Sequence, residues 1–112
     1  MKLTKYLQND VLPVIIRDFR GTFNSRKKKI TSHEYCERLK KKGILIHDTT
    51  FRQCVKYIQF HGLLRYIIAD SDGFYKTTSR VAIQKQIDTL KSRETEIRKV
   101  RMSIERQFRA GS

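Results

Sequence analysis

The sequence predicts an α+β fold, mainly α, in which two short helices joined by a tight turn are followed by a β-hairpin and then by a long C-terminal helix. Three observations carry this. Two helical stretches with start and stop signals lie between Thr31 and Gly62; an Asp-Gly turn separates two alternating runs between Leu64 and Thr78; and an alternating four-three apolar spacing runs from Ile83 to Phe108. The chain has 112 residues and a formal net charge of +14. A helix-turn-helix followed by a hairpin, on so basic a chain, points to the phosphate backbone of nucleic acid as partner.

Near the N-terminus, Leu3, Leu7, Val11, Val14, Ile15 and Phe19 fit one face of a helix that Pro13 interrupts. Proline is tolerated in a first turn and damaging later, so the firm helix is expected from Leu12 to Phe19, with Met1 to Val11 a separate helical piece or arm and Gly21 a stop. Asn24 to Lys29 holds no apolar residue and four adjacent cations, which makes it an exposed connection; Ile30 then suits a one-residue strand beside the hairpin.

Thr31-Ser32-His33-Glu34 matches the capping box, with a hydroxyl and a carboxylate three residues apart satisfying two orphan amide donors. The helix it opens buries Tyr35, Cys36 and Leu39, ends in Lys40, Lys41 and Lys42 and stops at Gly43. Ile44-Leu45-Ile46 reads as an apolar plug. Asp48 is the expected N-cap of the next helix, whose buried stripe is Phe51, Cys54, Val55 and Ile58 and whose stop is Gly62. From Leu64 the period changes to two, and Asp72-Gly73 supplies the positive backbone angles of a tight hairpin. Beyond Ser79, a plausible N-cap, Ile83, Ile87, Leu90, Ile97, Ile104 and Phe108 mark a helix of roughly 28 residues, too long for a small domain to bury. Glu94 and Arg101 occupy the two slots that break its stripe. The expected division is a DNA-binding domain at 1–79, a helix at 80–109 and a tail at 110–112.

Composition narrows the function. There is no apolar run of about 18 residues and no basic start leading into an apolar signal stretch, so a soluble, cytoplasmic protein with no membrane partner is expected. The net charge is +6 over residues 1–30, +3 over 31–62, zero over 63–79 and +5 over 80–112, so the hairpin is neutral and the rest basic. Cys36 and Cys54 fall on apolar helix faces and read as buried, reduced thiols. His33 and Cys36 are three apart and Cys54 and His61 seven apart, without the recurring close pairs of a zinc site, so no metal is expected. No glycine-rich phosphate loop or serine elbow is present, and the carboxylates are few and scattered; neither an enzyme nor a cofactor is expected.

The second helix of the pair is the one to enter a major groove. With Phe51, Val55 and Ile58 turned inward, Thr49, Thr50, Arg52, Gln53, Lys56 and, at the margin, Tyr57 face outward as base-reading candidates. Arg52 suits a guanine edge, Gln53 an adenine edge, and the threonines a phosphate or a thymine methyl. Arg26, Lys27, Lys28 and Lys29 are point charges on a loop and suit phosphate contacts, as do Lys40, Lys41 and Lys42 at a helix end, where a dipole role competes, and Arg65 and Lys76 on the hairpin. Ile83, Ile87, Leu90, Ile97, Ile104 and Phe108 are the dimerisation candidates. In a parallel pair Glu94 and Arg101 each face their own twin, whereas an antiparallel pair brings unlike charges together, which slightly favours the latter.

The order of elements from Leu12 to Thr78 resembles the winged-helix family of DNA-binding domains, a three-helix core with a β-hairpin wing. More narrowly, Ile67-Ile68-Ala69-Asp70-Ser71-Asp72-Gly73-Phe74-Tyr75, followed by Gln86-Ile87-Asp88-Thr89-Leu90-Lys91-Ser92-Arg93, looks like small winged-helix proteins of bacteriophages and prophages. The resemblance implies a DNA-binding transcription regulator or replication-associated factor acting on double-stranded DNA in a bacterial host, with a phage or host replication or transcription protein as a further partner. One departure is Asp72, where that hairpin usually carries lysine; with Asp70 it makes an acidic tip that phosphates would repel, leaving readout to the helix. Two rivals stand beside this reading: an adaptor that binds another protein, and an RNA-binding protein using Tyr57, Phe60, Phe74 and Tyr75 as stacking platforms.

Overall fold

The computed structural model describes residues 2–111; Met1 of the expected N-terminal arm and Ser112 of the expected tail lie outside the described residues. The fold is α+β and mainly helical. A π-helical turn (Leu7–Val11) leads into α1 (Leu12–Gly21), followed by a 3-10 turn (Arg26–Lys28), α2 (Ser32–Lys41), α3 (Asp48–His61), an antiparallel hairpin of β1 (Ile67–Asp70) and β2 (Gly73–Lys76), and α4 (Arg80–Arg109). The chain divides into two compact units, Met1–Ser79 and Arg80–Ser112.

Pro13 explains the unusual start. It has no N–H and its ring crowds the carbonyl four residues back. The preceding backbone widens by one residue, with the Leu12 N–H donating to the Leu7 carbonyl, and Pro13 itself sits in the first turn of α1. The N-terminal piece and the firm helix therefore form one run with a local defect, which lets Leu3 and Val11 reach the same core as Ile15 and Phe19.

The capping box of α2 is fully formed: the Glu34 N–H donates to Thr31 Oγ1 at 3.1 Å and the Thr31 N–H to Glu34 Oε1 at 3.2 Å. Its far end is a Schellman closure, with the Gly43 N–H on the Lys40 carbonyl and the Ile44 N–H on the Leu39 carbonyl. Gly43 holds φ +83, a left-handed angle at which a side chain would be strained. The same pair of bonds closes α3, from Gly62 to Gln59 and from Leu63 to Ile58.

Two local expectations are corrected. Leu45 is 72% exposed while Ile44 and Ile46 pack partly on the core, so the apolar plug consists of the two isoleucines. The N-cap of α3 is His47, without a side-chain cap bond; Asp48 is the first helical residue, where its charge still suits the positive end of the helix dipole.

The buried stripes expected from spacing meet in one core: Ile15 and Phe19 from α1, Tyr35 and Leu39 from α2, Phe51, Cys54, Val55 and Ile58 from α3, and Ile67 from β1. Aromatic rings form its centre. Phe19, Phe23, Tyr35 and Phe51 pack with centroids 5.0–6.2 Å apart, and Phe74 stands edge-on to Phe51 at 5.2 Å. One polar pair lies among them: the buried Tyr35 hydroxyl donates to Asp18 Oδ2 at 2.8 Å.

In the hairpin Ile67, Ile68, Ala69 and Asp70 pair with Lys76, Tyr75, Phe74 and Gly73. The chain before α2 extends this sheet, because Ile30 exchanges both backbone bonds with Phe74 at 2.8 and 3.0 Å, as its sequence suggested. The turn differs from expectation. Only Gly73 has a positive φ there (+151), and the Asp72 N–H is held by Asp70 Oδ1 at 2.8 Å, so the bend is an aspartate side-chain turn. Gly73 serves a close approach instead, since a Cβ there would lie 2.7 Å from the Ile30 carbonyl oxygen. Tyr66, at φ +60, is the only non-glycine residue with a positive φ among the described residues; with Gly62 it reverses the chain between α3 and β1.

Two outcomes are expected. Tyr35→Phe leaves the buried Asp18 carboxylate without its hydroxyl donor and lowers urea stability by about 1–3 kcal/mol. Gly73→Ala separates Ile30 from β2, seen as lost amide-exchange protection at Ile30 and Phe74 while the α1 amides stay protected.

Candidate nucleic-acid interface

The outward face of α3 follows from its inward one. Because Phe51, Cys54, Val55 and Ile58 are buried, Thr49, Arg52, Gln53 and Lys56 lie exposed on the opposite side. Thr50 and Tyr57 are half-buried, and Tyr57 packs on the core and on the His61 ring at 4.2 Å. The six base-reading candidates thus divide into four exposed side chains and two flanking ones.

Arg52 is also oriented from within. Its Nη2 donates to Ser32 Oγ at 3.3 Å, and Ser32 Oγ lies 3.4 Å from Asp48 Oδ2. Ser32 is buried at the start of α2, so it couples the first turn of one helix to the first turns of the next. Sequence reasoning missed this bridge. The Thr31 capping box placed Ser32 at a helix start, but nothing in the spacing showed that α3 would begin beside it.

The loop cations divide in two. Lys29 is half-buried, with Nζ 3.2 Å from Asp70 Oδ2 and 3.0 Å from Asp72 Oδ2, and Arg26 Nε lies 3.9 Å from Asp70. Lys27 and Lys28 are exposed and contact no carboxylate among the described residues. Lys29 is therefore taken up by the hairpin tip, and that tip carries its own counterions. The repulsion expected from Asp70 and Asp72 is offset inside the fold, which the sequence separation of about 40 residues concealed.

Lys40 and Lys41 are exposed at the end of α2, whereas Lys42 Nζ lies 3.7 Å from the buried Asp18 carboxylate, which also has Arg17 at 3.9 Å. Lys42 thus has a local ionic role. Arg65 is exposed before β1; Lys76 is half-buried on β2, where its N–H donates to the Phe23 carbonyl at 2.7 Å.

The cysteines behave as apolar residues. Burial, with the Asp48 carboxylate near Cys36, pushes the Cys36 thiol up to about 11, and burial alone does the same for Cys54. Neither thiol ionises appreciably near neutrality. Among the described residues no three His, Cys, Asp or Glu side chains gather as a metal site would need, and no helix is long and apolar enough to cross a membrane.

Along α4, Ile87, Leu90, Ile97, Ile104 and Phe108 are 40–76% exposed and Ile83 is half-buried. Glu94 and Arg101 are exposed within the same stripe, and Arg101 Nη1 bonds Glu105 Oε1 at 2.6 Å.

No protein-family model, curated protein or solved structure matches the chain, so the reading of this surface rests on its own chemistry.

The hairpin clip has a pH signature. Partial burial raises the Asp70 carboxyl, but the Asp72 N–H and the Lys29 and Arg26 charges outweigh it and hold it below the usual aspartate range. Lys29 is raised chiefly by its bond to Asp72. The depressed Asp70 contributes stability that is present above its unfolded value and lost as pH falls through its lower folded value. Exchange protection at Phe74 should therefore fall on acidification below about pH 4, the ordinary aspartate range. Asp70→Asn should lack that step, and an identical acid transition in this variant would locate the titration elsewhere.

Proposed function

We propose that this chain is a winged-helix protein that binds double-stranded DNA in a sequence-dependent way, as a dimer joined through α4. α3 is the reading helix. Arg52 and Gln53 address base edges, Thr49 and Lys56 extend the contact, and Lys27 and Lys28 grip phosphate beside it. The task this serves is regulation of transcription or marking of a replication site, in the manner of small phage-encoded regulators. The observation that carries the reading is the exposed polar face Thr49-Arg52-Gln53-Lys56 on a helix whose opposite face is locked into the core.

Support also comes from what is covered. A single-strand binder needs exposed stacking aromatics, and of its four candidates Tyr75 is 3% exposed, Phe74 packs edge-on to Phe51, and Tyr57 lies against the core. Phe60 alone of the four stands out in solvent, at 85% exposure. Duplex recognition by polar side chains and cations fits this surface better than base stacking.

Selection of bound fragments from a random duplex pool tests the proposal directly. With the selected site in hand, Arg52→Ala should cost about 1–3 kcal/mol on that site and little on random duplex, relaxing the choice at one or two base pairs. Lys28→Ala should weaken all sequences alike and reduce the salt slope by about 1. A pool that yields no enriched sequence, or equal losses for Arg52→Ala on selected and random DNA, would remove α3 from the reading role.

A further inference from the structure

We propose that α4 pairs antiparallel with α4 of a second copy, so that Glu94 of each chain meets Arg101 of the other. This rests on the reading of α4 as the dimer helix and does not depend on what α3 recognises.

The first observation is the length and bareness of the stripe. α4 spans 30 residues and has no buried residue, yet it carries six apolar side chains on a four-three repeat. Over 25 residues that repeat extends about 38 Å at about 1.5 Å per residue. A seam with this period, slightly under-wound relative to a straight helix, is the face by which one helix packs along another. On the heptad it sets, Ile83, Leu90, Ile97 and Ile104 take d positions and Ile87, Glu94, Arg101 and Phe108 take a positions.

The second observation is where the charges fall, and it decides the occupant and its direction. In a parallel, in-register pair Glu94 faces Glu94 and Arg101 faces Arg101 at the seam. The flanks add Arg93 against Arg98 of the second copy, twice by symmetry. All of these are like-charge approaches. In an antiparallel pair that overlaps the whole stripe, Ile83 lies opposite Phe108, Ile87 opposite Ile104, Leu90 opposite Arg101 and Glu94 opposite Ile97. Each Arg101 then sits one helical turn, about 6 Å along the axis, from Glu94 of the other chain. An arginine spans that distance while its methylene stem covers Leu90. Arg98 of the second copy flanks the same glutamate. Two symmetric Glu94–Arg101 contacts replace two like-charge pairs, and every apolar residue of the stripe is used. Like-charge approaches remain between Lys91 and Arg98, also twice by symmetry, at the solvent-facing flank where salt screens them, so the flanks cost about the same in either direction and the seam charges decide.

A second copy of this chain is therefore the partner that the face fits, because its own sequence supplies the complementary charge at matching distances. The N-terminal ends of the two helices, to which the first units are joined, then lie about 45 Å apart instead of side by side.

Two measurements on the full chain test this. Sedimentation should give a dimer, and Glu94→Gln should weaken it roughly three- to tenfold by removing two unlike pairs; a parallel pair would instead tighten, being relieved of a repulsion. The double swap Glu94→Arg with Arg101→Glu should restore the affinity. Second, a spin label on Lys85→Cys, on the face away from the seam, should report about 38 Å or more between copies, against about 20–25 Å for parallel helices. The unmodified chain serves as the control for its buried Cys36 and Cys54. A monomer at high micromolar concentration, a short label distance, or tighter association of Glu94→Gln overturns the proposal. DNA binding is read separately: a chain that binds DNA with a short distance defeats only the antiparallel pairing, and one with a long distance that ignores DNA defeats only the proposed function.

Discussion

The arrangement of the first unit depends on one buried cluster: the rings of Phe19, Tyr35 and Phe51, with the Tyr35 hydroxyl fixed on Asp18. Each ring belongs to a different helix, so their mutual packing sets how α1, α2 and α3 meet. Apolar burial alone would bring three helices together in several ways. A hydroxyl that must find a carboxylate in a dry interior accepts far fewer, because any arrangement that separates them leaves a buried polar group unpaired. Lys42, reaching the same carboxylate from the end of α2, and Arg17 keep the charge itself from being stranded. Phe74 then leans on Phe51, and through it the hairpin is referenced to the same cluster.

From that centre the outward surface follows with little freedom. α3 cannot rotate without exposing Phe51, Cys54, Val55 or Ile58, so its wet face is fixed by its dry one. Ser32 adds a second restraint at the edge by holding the Arg52 guanidinium. A long cationic side chain loses rotamer freedom when it binds, and one already held gives up less. The hairpin is handled differently. Its acidic tip closes on Lys29, with Arg26 at longer range and still exposed, which takes Lys29 into a local clip and leaves Lys27 and Lys28 as the outward cations of that loop with no carboxylate contact among the described residues.

What the sequence revealed and what it hid divide along the same physical line. Features set by neighbours a few residues apart were legible: the Thr31–Glu34 capping box, the glycine closures of α2 and α3, the stripe of α3, the strand pair and the long C-terminal repeat. Features set by distant neighbours were not. Nothing near Lys29 announces Asp70, and nothing near Arg52 announces Ser32. Asp72-Gly73 shows a subtler failure. The dipeptide correctly marked a turn, but the glycine is required by the Ile30 carbonyl pressing on it from another part of the chain, while Asp70 makes the bend. Pro13 does disturb the helix, but the backbone absorbs it as a π turn without the separate N-terminal piece or arm its sequence suggests.

Charge placement is the thread that joins the two units. In the first, carboxylates sit against selected cations: Asp18 with Lys42 and Arg17, and Asp70 and Asp72 with Lys29 and Arg26. Among the exposed cations of this unit that contact no carboxylate among the described residues are Lys27 and Lys28, Lys40 and Lys41, and Lys56. In the second, Glu94 and Arg101 interrupt an otherwise apolar seam at positions where an all-apolar stripe would associate more tightly. A cost of that kind is sensible where direction and partner matter more than strength, because two opposite charges in one seam penalise the parallel pairing and favour the antiparallel one. On the proposed function, both units then use the same device: a few carboxylates, Asp18, Asp70 and Asp72 in the first and Glu94 in the second, placed to select among arrangements that the apolar surface alone would leave nearly equivalent.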